Sequence, residues 1–191
     1  EPAHLDDLRF YVPDVQAQGG WREYRSGDLA PFSARALPWR NFSFWVDLPD
    51  AAPRVFYLRL QSSSTSAAIF TLWDKNAFDQ EKPGEYLWLG FLAGAYLFLL
   101  FTSLFYWKRF RERYYLLFMG HAGGGLLAFL GVNGLAAQYL FPDIPIVASL
   151  FAPVGISLVV VFSSWFFLEF FKLPRAIFSL YSLILFSIWL G

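Results

Sequence analysis

Residues 86–107 read YLWLGFLAGAYLFLLFTSLFYW, 22 positions without a charged side chain, and residues 108–113 after them read KRFRER. At 1.5 Å per residue the first stretch makes about 33 Å of helix, enough to cross a hydrocarbon core of about 30 Å. The second places four bases within six residues. A long uncharged run that closes on a basic cluster reads as a span leaving the bilayer on its cytoplasmic side. The pattern repeats downstream. Further spans are expected over about 114–132, 146–168 and 176–191, the last only 16 residues long. All six Lys and Arg residues of this half fall after the first and third spans, and the Asn133–Pro145 loop has none. Positively charged loops stay inside, so residues 1–85 and the Asn133–Pro145 loop are expected to face outward. Tyr86, Trp88, Tyr106, Trp107, Tyr114, Tyr115 and Tyr139 lie near span ends, where amphipathic rings anchor.

Composition divides at the same place. Of 30 charged residues, 21 stand before Tyr86, a density normal for a soluble domain. The formal net charge of zero conceals −3 in residues 1–85 and +3 in residues 86–191. That balance excludes a protein that tracks a nucleic-acid backbone. Cysteine is absent, which removes disulfides, thiolate nucleophiles and Cys-based metal sites. The chain begins at Glu1 without Met and stops at Gly191 inside an apolar run, so a longer protein is expected around it.

Residues 1–75 read as an extracytoplasmic β domain, with 76–85 as a linker to the membrane. Strands are expected at Leu5–Val12, Trp21–Arg25, Asn41–Leu48, Arg54–Ser62 and Ala67–Trp73, divided by turns such as Pro13-Asp14, Gly19-Gly20 and Ser26-Gly27-Asp28. Phe42, Phe44, Val46 and Leu48 alternate, as do Phe56, Leu58 and Leu60. The expected fold class is an incomplete, jelly-roll-like β-sandwich followed by an all-α multi-pass bundle.

Chemistry is sparse. Gly123-Gly124-Gly125 lies in a span, not in a phosphate loop. Ser62–Ser66 has no His partner for nucleophilic catalysis, no carboxylate pair is marked by spacing, and His4, Asp6 and Asp7 read better as a frayed terminus than as a metal site. No catalytic residue, metal or cofactor is expected. Aromatic residues beside Arg and Asn can hold a sugar, so Trp21, Trp39, Arg40, Asn41 and Arg59 are candidate ligand contacts, with core packing as the competing reading of each ring. Gly90/Gly94 and Gly120/Gly124 are small-xxx-small pairs that bring helices together, within the bundle or across a homodimer. His121 is the ionisable group well inside a span; packing against a neighbouring helix is its expected role. Pro153 is expected to kink the third span.

The ordered blocks LDDLRFYVPD, GGWREYRSGD, PFSARALPWRNFSFWVDLP and FYLRLQSSS…FTLWDKNAF resemble the second type of extracellular domain of bacterial seven-transmembrane receptors with diverse intracellular signalling modules. The rest, including NGLAAQYLFP, resembles their seven-helix region. The resemblance implies a periplasmic β-sandwich similar to carbohydrate-binding modules, present here in its later half, and a helical domain in the bacterial inner membrane. It implies an outside small molecule or carbohydrate as ligand, the lipid bilayer as surroundings, and a cytoplasmic kinase, cyclase or phosphatase in cis beyond the stretch present. The alternative is a transporter subunit with a periplasmic domain. Transport needs charged or broken-helix sites near the midplane, and His121 and Pro153 alone offer anything of that kind.

Overall fold

The strands are set by a face that must leave water. In the computed structural model, which describes residues 7–14, 20–27, 30–48, 50, 52–61 and 69–171, β1 (Asp7–Pro13), β2 (Trp21–Ser26) and β3 (Tyr57–Gln61) form one antiparallel sheet in the order β2-β1-β3. Leu8 pairs with Ser26 and Leu60, and Phe10 with Tyr24 and Leu58. Because side chains alternate along a strand, this register gathers Leu8, Phe10, Tyr24, Leu58 and Leu60 on one face. Leu8 is buried. Phe10 stacks on Phe44 at 5.1 Å and on Phe56 at 5.9 Å, and Phe44 also meets Tyr24.

Asn41–Leu48 is therefore not the strand its alternation predicts. It carries no ladder, and its Phe44 covers the apolar face of the sheet instead. Period-2 alternation reports an extended chain with one side buried, which lying across a sheet satisfies as well as joining its edge. The predicted Arg54–Ser62 strand is shorter, starting at Tyr57. Residues 69–73 form no strand, while residues 67–68, His4, Asp6, Ser62–Ser66 and the predicted 176–191 span lie outside the described residues.

Three long helices follow: α1 (Lys75–Phe110), α2 (Arg113–Val132) and α3 (Pro145–Phe171), each long and apolar enough to cross a membrane. The predicted 76–85 linker is thus the beginning of α1, and Lys82-Pro83-Gly84 does not break it. The reason lies at its N-terminus. Asp74 caps the helix, its side chain accepting from the backbone N–H groups of Asn76 and Ala77 at 2.9 and 3.3 Å. Trp73 before the cap packs on Phe78 at 6.5 Å, a hydrophobic staple. Lys82 pairs with Asp79 at 2.9 Å and stands 4.2 Å over the Phe78 ring. At the other end Arg111 takes a left-handed conformation, φ 61°, and its N–H closes on the Trp107 carbonyl.

The chain divides into two compact units, Glu1–Leu72 with Leu130–Phe151, and Trp73–Phe129 with Ala152–Gly191. In the second, α2 and α3 meet along small residues. A Cβ added at Gly124 would fall 2.8 Å from Leu158 Cβ and 2.9 Å from the Val159 nitrogen; one at Gly155 would collide with the Ala128 backbone, and one at Gly120 with the Phe162 ring. Beside this seam His121 Nδ1 and Ser163 Oγ are 2.7 Å apart. Tyr96 of α1 lies against Gly125 and Phe129. The two predicted pairs therefore part company. Gly120/Gly124 is a packing seam within the bundle, whereas a Cβ at Gly90 or Gly94 would meet nothing within 4 Å.

Gly124→Ile is expected to lower the melting temperature of the detergent-solubilised chain, because overpacking a close contact costs about 1–3 kcal/mol. Gly90→Ile is expected to leave it unchanged. Asp74→Ala, which removes a cap worth about 1 kcal/mol, is expected to speed amide hydrogen exchange over residues 75–82 while leaving the rest of α1 protected.

Candidate functional site

Two places in the first unit bring chemistry-bearing side chains together. The first is the sheet face opposite the Phe10 core. The register that turns Leu8 and Phe10 toward Phe44 and Phe56 must turn Asp7, Arg9 and Tyr11 the other way. On this face Arg9 lies directly between Arg25 of β2 and Arg59 of β3, and Tyr11 lies between Glu23 and Tyr57. Trp21, beside Pro13, meets Tyr57 edge-on at 5.0 Å. Asp7 holds the arginines nearest to it: Arg9 Nε donates to its carboxylate at 2.8 Å and Arg25 Nε at 3.0 Å. Arg9 also stands 3.6 Å from Glu23. Burial raises the Asp7 pKa, but hydrogen bonds and charge from Arg9 and Arg25 outweigh it and hold the carboxyl below its ordinary value.

The second place is a clasp between the segment 30–42 and the α2–α3 connection. That connection is not the irregular loop expected from Asn133–Pro145. Gly134 turns the chain with φ 71°, Ala136–Leu140 forms a π-helical turn in which the Phe141 N–H reaches the Ala136 carbonyl at 2.9 Å, and α3 begins at Pro145. Gly134, Leu135 and Ala136 are buried, whereas Tyr139 and Leu140 are exposed. The Phe32 N–H donates to the Pro142 carbonyl at 2.9 Å. Arg40 Nη1 donates to the Asn133 carbonyl at 3.4 Å. A Cβ on Gly134 would sit 2.9 Å from the Arg40 carbonyl oxygen, so glycine is required both for the turn and for the approach.

Arg35 sets the shape of the other jaw. Its guanidinium lies over the rings of Phe32 and Phe42 at 4.8 and 4.6 Å, a cation–π sandwich, and Nη1 donates to the carbonyls of Trp39 and Arg40 at 3.0 and 2.7 Å. Between the jaws is a small recess of about 30 Å³, lined among others by Phe32, Arg35, Gly134, Phe141 and Ser149.

The five predicted ligand contacts therefore fall into two groups. Trp21 and Arg59 share the polar sheet face. Arg40 and Asn41 belong to the clasp side, and Trp39 is 6% exposed, its ring packed and not offered to a solute. Sequence reasoning missed Arg9, Arg25 and Arg35. The first two become neighbours of Arg59 only through strand register, and Arg35 is marked in the sequence by nothing more than the flanking Phe32 and Phe42. Among the described residues no cluster of three or more His, Asp or Glu could hold a metal.

The family described as 7TMR-DISM extracellular 2 matches residues 1–74, and the family described as 7TM diverse intracellular signalling matches residues 85–191. The chain belongs to the latter family. It is a transmembrane receptor chain, with an extracellular sensory domain followed by part of the seven-helix signalling region, and it resides as a multi-pass protein in the inner membrane. No curated protein and no solved structure matches it. In this receptor the clasp joins the extracellular domain to the outer connection between two of its spans.

Gly134→Val is expected to open the clasp, since a left-handed β-branched residue costs about 1–3 kcal/mol and its side chain would strike the Arg40 carbonyl; faster amide exchange at residues 134–141 is the readout. For the sheet face the sign is set by Asp7. A depressed carboxyl pKa adds stability that is present at and above the ordinary value and is lost as pH falls through the depressed one. Acid titration followed by tryptophan fluorescence is expected to show the sheet loosening below about pH 4, and Asp7→Asn is expected to be weaker at pH 7 and less sensitive to acid.

Proposed function

We propose that this receptor senses a periplasmic carbohydrate or similar small molecule with residues 1–74 and passes the event to the membrane helices through the Phe32–Asn41 clasp on the Asn133–Pro142 connection. The observation that carries the reading is the Gly134–Arg40 contact, together with the Phe32 to Pro142 hydrogen bond. A sensory domain tethered only by its covalent link could reorient without acting on the spans. Here it also grips the backbone that joins α2 to α3.

The energetic requirement is specific. A ligand shifts an equilibrium only by the difference in its affinity for the two states. The clasp supports a two-state device because the Phe32–Pro142 and Arg40–Asn133 hydrogen bonds and the close approach of Gly134 to Arg40 are directional, so that a small rotation of the 30–42 segment would exchange them together. α1 offers a second route, and its capped start at Asp74 supports transmission along a rigid rod in place of a slack tether. The output of the cycle is assigned to a cytoplasmic kinase, cyclase or phosphatase in the same polypeptide.

In the intact receptor, Gly134→Val is expected to abolish the output response to ligand while ligand binding and membrane insertion persist. An unchanged response would refute the clasp as coupler. Reading the gene beyond the codon for Gly191 tests the output assignment: three further spans and then a soluble signalling domain are expected.

A further inference from the structure

Resting on the reading of residues 1–74 as a ligand-sensing domain, we infer that the Arg25–Arg9–Arg59 face of the sheet binds the carboxylate of an acidic saccharide, with Trp21 and Tyr57 taking the sugar ring.

The starting observation is an arrangement that costs stability. Arg9 is opposite Arg25 on one side and opposite Arg59 on the other, and like charges directly across strands repel. Asp7 relieves the Arg9–Arg25 half, bridging both at 2.8 and 3.0 Å, and Glu23 adds to it at 3.6 Å from Arg9. The other half is not relieved. Arg59 is exposed, and among the described residues no carboxylate pairs with it. Three guanidinium groups thus face two carboxylates, and the uncompensated cation is at the β3 edge of the row.

The chemistry of the missing anion follows from what surrounds it. A guanidinium presents a planar fork of donors that fits a carboxylate with two parallel hydrogen bonds. Two residues along β3 from Arg59, about 7 Å away on the same face, is Tyr57, beside Tyr11 and edge-on to Trp21. Trp21 and Tyr57 are 38% and 56% exposed, so ring surface is open to a solute beside Arg59. A simple inorganic anion would use the arginines and leave the rings idle. A sugar acid uses both, its carboxylate on the Arg59 side and its C–H face on the rings.

The test is isothermal titration of the whole chain in phosphatidylcholine nanodiscs with digalacturonate, with galactobiose as the neutral counterpart and inorganic phosphate as the bare anion. Digalacturonate is expected to bind saturably and galactobiose not. Arg59→Gln should weaken binding about tenfold or more, the worth of a charge-assisted hydrogen bond. Arg59→Lys, which keeps the charge and loses the fork, should recover only part. Trp21→Ala should weaken binding as well, and Gly90→Ala should not. Absence of saturable binding, equal binding of galactobiose, or phosphate binding as tight as that of the uronate and indifferent to Trp21→Ala would each overturn the inference. Melting curves of Arg59→Gln and Trp21→Ala establish that the variants are folded. Binding is read here without any output, so saturable binding with no signalling response would count against the receptor coupling and leave this site standing.

Discussion

Hydrocarbon offers a peptide group no hydrogen-bond partner, and that constraint governs more of this chain than any side chain does. Residues crossing the bilayer must satisfy their N–H and C=O groups internally, which leaves helix as the only solution for a single chain segment of this kind. Once the backbone is satisfied, nothing apolar drives helices together, because lipid is as oily as leucine. Association then rests on how closely two backbones can come. Gly124 and Gly155 supply the answer for α2 and α3, where a single added methyl on either would strike the partner helix. The Ser163–His121 hydrogen bond gives the same interface a polar fastening and accounts for the ionisable residue within the span.

Outside the bilayer the physics changes sign, and the extracellular part is organised by water. One face of the three-stranded sheet hides under Phe44 and Phe56, and strand alternation then leaves the opposite face polar. That face is not a neutral coat. It concentrates arginine in register and balances it only partly with Asp7 and Glu23. Its guanidinium groups lie on an open strand face, which separates it from the clasp. Arg35 and Arg40 in the clasp each donate through Nη1 to backbone carbonyls and so fix loop shape. Arginine thus stands in two settings within one small domain, opposite carboxylates on the sheet and opposite backbone carbonyls in the clasp.

Glycine and proline tell a similar story about context. Pro83 and Gly84 look like a break, yet α1 runs through them because Asp74, Trp73 and Phe78 secure the helix start. Gly134 looks like one more loop glycine, yet it carries both the left-handed turn and the contact with the Arg40 carbonyl. Local propensity was a sound guide only where no stronger capping or packing interaction competed with it.

The sequence alone determined that apolar membrane helices follow a β domain, which side of the membrane that domain faces, and the family. These rest on properties that act position by position: charge excluded from hydrocarbon, bases kept inside, alternation along extended chain. Tertiary structure decided everything that needs two distant segments to meet. It took strand register to place Arg9 between Arg25 and Arg59, and packing to turn Asn41–Leu48 from a strand into a cover for Phe10. The same packing divided Gly120/Gly124, which lies close against α3, from Gly90/Gly94, where an added Cβ would meet nothing within 4 Å. The clasp is the extreme case, since Arg40 and Gly134 lie some ninety residues apart and neither carries a local signal of the other. Contacts of that range are fixed by which surfaces the folded chain brings within bonding distance, and no periodicity in a single sequence encodes them.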